Sequence, residues 1–97
     1  MTADKAAMTQ EHFIDVRELE PPEPLIVATE AAQALLPGGY LRLFLRHEPF
    51  PLYRLLDQDG FRHLGRHSAA GPFEVLIWRA ADAAAEQAVG QLVGDAP

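Results

Sequence analysis

Asp15-Val16-Arg17-Glu18-Leu19-Glu20-Pro21-Pro22-Glu23-Pro24-Leu25 joins two different hydrophobic periods. Upstream, residues 12–17 (HFIDVR) alternate. Ile14 and Val16 fall on one side, and Phe13, Asp15 and Arg17 on the other, as in a half-buried strand. Downstream, Leu25, Ile26, Thr29, Ala32, Leu35 and Leu36 recur at helical spacing until Pro37-Gly38-Gly39 stops the pattern. The prolines sit where a helix tolerates them, in the first turn, whose N–H groups have no intrahelical acceptor. The stretch therefore reads as a strand, a rigid corner and a helix start.

The same alternation of elements continues outward. Tyr40 to Arg46 alternates again, with Leu41, Leu43 and Leu45 opposite Tyr40, Arg42, Phe44 and Arg46. Pro51 to Gln58 fits a second helix with Leu52, Leu55 and Leu56 inward, and Gly60 suits a left-handed stop. Phe61 to His67 reads as a strand, Ser68 to Pro72 as a turn, and Phe73 to Arg79 (FEVLIWR) as a further strand. The order strand, helix, strand, helix, strand, strand predicts an α+β fold. It is a two-layer α/β sandwich, with two helices on one face of a four-stranded sheet. Residues 1–11 are polar and Ala-rich and are expected to be a flexible leader, with the domain proper spanning 12–79. Residues 80–97 are an Ala-rich C-terminal tail, expected to be a marginal helix or disordered.

The corner carries a resemblance. The run D-V-R-E-L-E-P-P-E-P-L is similar to the signature of TusA/SirA-like sulfur carriers, in which an Asp and a Leu lead into Cys-Pro-x-Pro at a helix start. Asp15, Leu19, Pro22 and Pro24 match, whereas Pro21 stands at the position of the cysteine and Glu18 at that of a usual glycine. Together with His47-Glu48-Pro49-Phe50-Pro51-Leu52-Tyr53, the pattern more closely resembles a cysteine-free bacterial family of unknown function related to those carriers. The resemblance covers about residues 12–79. It implies a mixed sheet in the order one, two, four, three, with the fourth strand antiparallel to the others.

The composition removes several chemistries. None of the 97 residues is cysteine, so there is no thiolate to carry a persulfide, no disulfide and no thiolate-bound metal. A net charge of −6 argues against nucleic acid and anionic membranes. No stretch approaches the ~20 apolar residues of a membrane span, and the cytoplasm is the expected location. At the first helix start, Pro21, Pro22 and Pro24 remove donors while Glu20 and Glu23 occupy the positive end of the dipole, which disfavours an anion there. Neither nucleophile-elbow nor phosphate-loop spacing occurs, so no catalytic residue and no cofactor is expected.

Two surfaces remain. His63 and His67, four apart on a strand, stand ~13 Å apart and cannot share one metal. By the sheet order that the resemblance implies, Arg17, His47 and His67 end three strands at one edge beside Glu48. There they could hold a small polar ligand or a metal; the alternative is that His47 and Glu48 cap the second helix and His67 is solvated. The sheet face away from the helices collects Phe13, Tyr40, Phe44, Leu76 and Trp78 among Arg17, Arg42 and Arg46. Aromatics with arginine mark an interface. The face is expected to be covered by a second copy, by another protein or by the Ala-rich tail, with a partner subunit slightly favoured; single-stranded nucleic acid stacking on it is the least favoured reading because the chain is acidic.

Overall fold

A computed structural model describes residues 11–69 and 71–94. In chain order the elements are β1 (Glu11–Asp15), α1 (Glu23–Gln33), β2 (Tyr40–Leu45), α2 (Phe50–Gln58), β3 (Phe61–His67), β4 (Phe73–Arg79) and α3 (Ala83–Gly94). The sheet order is β1-β2-β4-β3. β1 runs parallel to β2, and β4 is antiparallel to both of its neighbours, β2 and β3. The α+β class agrees with the sequence pattern, and the mixed sheet and its order agree with what the resemblance implies. The leader expected over residues 1–11 lies outside the described residues, except for Glu11, which opens β1.

Strand alternation sorts the sheet into two faces. Register places Leu41 opposite Ile77, Leu43 opposite Val75 and Leu45 opposite Phe73. These leucines pack with Ala28, Ala32 and Leu35 from α1 and its C-terminal flank, and with Leu52 and Leu56 of α2. Alanine at positions 28 and 32, both fully buried, lets α1 lie close on the sheet. Its inward face is thus centred on the alanines. Ile26 and Leu36, which share the helical spacing, are 48% and 76% exposed. Arg79 closes α1 from the sheet, donating to the carbonyl oxygens of Gln33 at 2.7 Å and Leu35 at 3.2 Å, where a cation complements the negative end of the dipole.

The tail corrects the two-layer expectation. Residues 83–94 form α3, which packs on the second face of the sheet through Ala85 and Val89, against Tyr40, Leu76 and Trp78. The fold is three layers deep on that side. Small side chains let the helix approach closely, and the aromatics supply the area that alanine lacks. Tyr40, Leu76 and Trp78 are therefore buried by the chain's own tail and are not an open interface.

Asp82 anchors α3 at its start. One carboxylate oxygen accepts from the Ala85 N–H at 3.0 Å, as an N-cap, and the other from the Gly38 N–H at 2.7 Å. These donors, Gly38 first, hold the Asp82 carboxyl below the usual range. A carboxylate with a lowered folded pKa stabilises the fold above its unfolded value, near 3.9, and that contribution is lost as pH falls through the folded pKa. Near-ultraviolet circular dichroism of Trp78 should therefore show α3 loosening only below about pH 4. Asp82→Asn should flatten that acid limb at a cost in stability near neutral pH; an unchanged acid limb would remove Asp82 from this role.

Candidate functional site

The helix starts form one end of the molecule. Pro21, Pro22 and Pro24 lead into α1, and Pro49 and Pro51 flank the start of α2. Between them lies a groove of about 270 Å³, lined also by Leu25, Leu45 and Leu52, with almost no polar lining. A second concavity of about 270 Å³ shares Pro21, Pro24, Leu45 and Pro49 with the first and continues to Arg17, Arg46, His47 and Glu48. Pro21, at the position of the carrier cysteine, is part of the shared wall. Pro22 is the N-cap of α1 without any side-chain cap, so the corner presents a hydrocarbon wall instead of donors.

The edge residues are only partly brought together. Arg17, His47 and Glu48 line the same concavity. His67 shares a row with Phe73 and Leu45, and β4 intervenes between β3 and β2. It stands two strand spacings away, roughly 10 Å, edge-on to the Phe73 ring at 5.2 Å. Among the described residues, no three His, Cys, Asp or Glu side chains converge on a common point for a metal. Glu48 does not cap α2; Pro49 does so without a side-chain bond, and the Glu48 carboxylate instead accepts from the Tyr53 hydroxyl at 3.2 Å. Burial, reinforced by that carboxylate, pushes the Tyr53 hydroxyl up to about 12, so Tyr53 stays a proton donor at ordinary pH. Arg17 is bound by Asp15 through two contacts of 2.7 and 2.9 Å, which hold the Asp15 carboxyl below its usual range.

Beside this edge, Tyr53 stacks on His63 at 4.3 Å, and His63 Nε2 lies 3.0 Å from Asp57. Glycine at position 65 makes room for the Tyr53 ring. A Cβ there would overlap its hydroxyl and sit 2.9 Å from Phe73.

On the second face, α3 leaves a strip uncovered. Phe13 and Phe44 meet edge to face at 4.9 Å, and Arg42 lies over both rings at 5.5 and 5.3 Å. Arg17 lies over Phe44 at 5.6 Å. Phe13 is 46% exposed. The strip contains a residue that the sequence reading missed. Glu74 is 1% exposed, and one of its oxygens accepts from Arg42 at 3.3 Å and from Arg66 at 3.1 Å. The signal was available in the strand alternation, which sets Glu74 on the same face as Leu76 and Trp78. Its burial follows from the register, which places Arg66 and Phe44 directly beside it on the two flanking strands.

Comparison with known proteins supports this frame. A crystal structure of a SirA-like protein from Desulfitobacterium hafniense is similar, with a TM-score of 0.58 and 22% identity, over 67% of this chain and 92% of that one. At that identity the likeness shows the fold. No curated protein matches the chain. Residues 13–79 match the family model described as "Uncharacterized conserved protein (DUF2249)", and the chain belongs to that family.

Proposed function

We propose that this chain is a non-enzymatic interaction module, built on a sulfur-carrier fold without the carrier's chemistry, and that it pairs with a second copy through the strip at Phe13, Arg42 and Phe44. The observation that carries the reading is an exposed Phe13 packed on Phe44 within a ring of opposite charges. Arg17 and Arg42 stand beside Asp15 and Glu11 there, with the Arg42–Glu11 contact at 3.3 Å. A patch holding both signs around an apolar centre is complementary to itself across a two-fold axis. The absence of cysteine from the sequence supports the exclusion of persulfide transfer.

Sedimentation velocity over a wide concentration range tests the pairing. A monomer–dimer equilibrium is expected, and Phe13→Ser and Phe44→Ser should each move it toward monomer by at least tenfold in Kd. A wild-type protein that stays monomeric at the highest concentration ends the dimer reading.

A second reading is a small-ligand site at the His47 edge. The continuous cleft that runs from the proline walls to Arg17, Arg46 and His47 favours it.

A further inference from the structure

The cleft at the helix starts has two unlike halves, and their chemistry selects a ligand. We infer that it binds a small amphiphilic anion, an apolar chain or ring carrying one carboxylate or comparable acidic head. The inference rests on the small-ligand reading of the same edge and adds the ligand class.

The apolar half comes first. Five prolines and three leucines line it, and the cyclic side chains cannot turn away as longer ones do. Proline also removes the N–H groups that would otherwise hold water or an anion at the helix starts. Such a wall gains from displacing water with hydrocarbon, and offers nothing to a polar group. At about 270 Å³ this half accommodates a short chain or one ring, and with its neighbour it approaches the size of ordinary ligand pockets.

The other half supplies the charge. Of its two arginines, Arg17 is already held by Asp15. Glu48 is the carboxylate on this wall, and it already accepts a hydrogen bond from Tyr53. Arg46 is exposed and has no acidic partner among the described residues. Its guanidinium is the donor group left for an incoming acid, with His47 next to it on the same wall. A planar fork of N–H donors suits a carboxylate better than any neutral head. The shared wall of Pro21, Pro24, Leu45 and Pro49 joins the two halves, so one molecule can use both.

The test is a titration of the full chain with hexanoate, heptanoate, octanoate and neutral octanol, followed by amide resonance perturbation. Perturbations are expected at Leu45 to Glu48 and at Leu25, with affinity rising about threefold to fourfold per methylene. Octanol should bind roughly tenfold more weakly than octanoate, and Arg46→Gln should erase that difference while leaving octanol binding intact. Pro51→Asp, which a first helical turn accepts, should abolish binding of every chain by placing charge in the apolar half; circular dichroism confirms that it folds. If octanol equals octanoate, or Arg46→Gln changes nothing, the anion inference fails while a small-ligand site stands. If no probe perturbs the cleft, both fail.

Discussion

Glu74→Ala is expected to destabilise the fold by about 2–3 kcal/mol, lowering Tm by roughly 10–20 °C. Glu74 is the one charged residue buried in the sheet among the described residues, and two arginines converge on a single oxygen. Removing it takes from Arg66 its carboxylate, leaves Arg42 with Glu11 alone, and opens a hole beside Phe44. The loss should fall below the ~3–5 kcal/mol of a fully enclosed pair, because Arg42 and Arg66 remain 31% and 33% exposed and water can rehydrate them. Glu74→Gln should lose less, since it keeps the shape and one acceptor. The same change should loosen the strip, since Glu74 helps to hold Arg42 over the Phe13 and Phe44 rings. Thermal melts of the three proteins decide this. Equal melting temperatures for wild type and Glu74→Ala would show that the carboxylate does not hold the strip together.

Glu74 also marks where reading the sequence stops. A strand's period fixes which face a side chain takes, and by that rule Phe13, Arg42, Phe44, Leu76 and Trp78 were placed together correctly. Whether a carboxylate on that face is solvated or buried depends on cross-strand partners 8 and 32 residues away in sequence. No local pattern carries that. The sheet order had the same status. Periodicity gave four strands, whereas the order came from the resemblance at residues 15–25. The grouping of His47 with His67 failed for a related reason. Ending at the same edge of a sheet does not make two residues neighbours when β4 lies between their strands. In α1 the helical spacing runs through the larger Ile26 and Leu36, while the close approach of helix and sheet selects Ala28 and Ala32 for burial. The tail carries a signal beyond its composition: Asp82 before an alanine run is a helix start, and the aromatic sheet face is its docking site.

Val89→Asp should separate that cover from the rest of the fold. Val89 is 2% exposed and lies in the contact of α3 with Tyr40, Leu76 and Trp78. A carboxylate cannot stay ionised there without a partner, so the helix must leave the sheet or the acid must be held neutral. Undocking is the easier outcome, because the apolar stripe of α3 is mostly small. Glycine at position 90 weakens the helix further when it is not supported by packing. The expected cost is about 2–4 kcal/mol, with the α1 and α2 side of the sheet left folded. Trp78 is the only tryptophan, so its emission reports the event directly. It should shift to that of a water-exposed ring in Val89→Asp, with little loss of strand signal in circular dichroism. Gly90→Ala is the opposing control. Its added Cβ meets nothing within 4 Å, and a better helix former should stabilise α3 by about 0.5–1 kcal/mol. Undocking also bares Tyr40 and Trp78 on the same sheet face as Phe44, adding apolar surface, so Val89→Asp should self-associate more strongly than wild type at equal concentration. Unshifted Trp78 emission in a folded Val89→Asp protein would mean that α3 is not what keeps this ring from water.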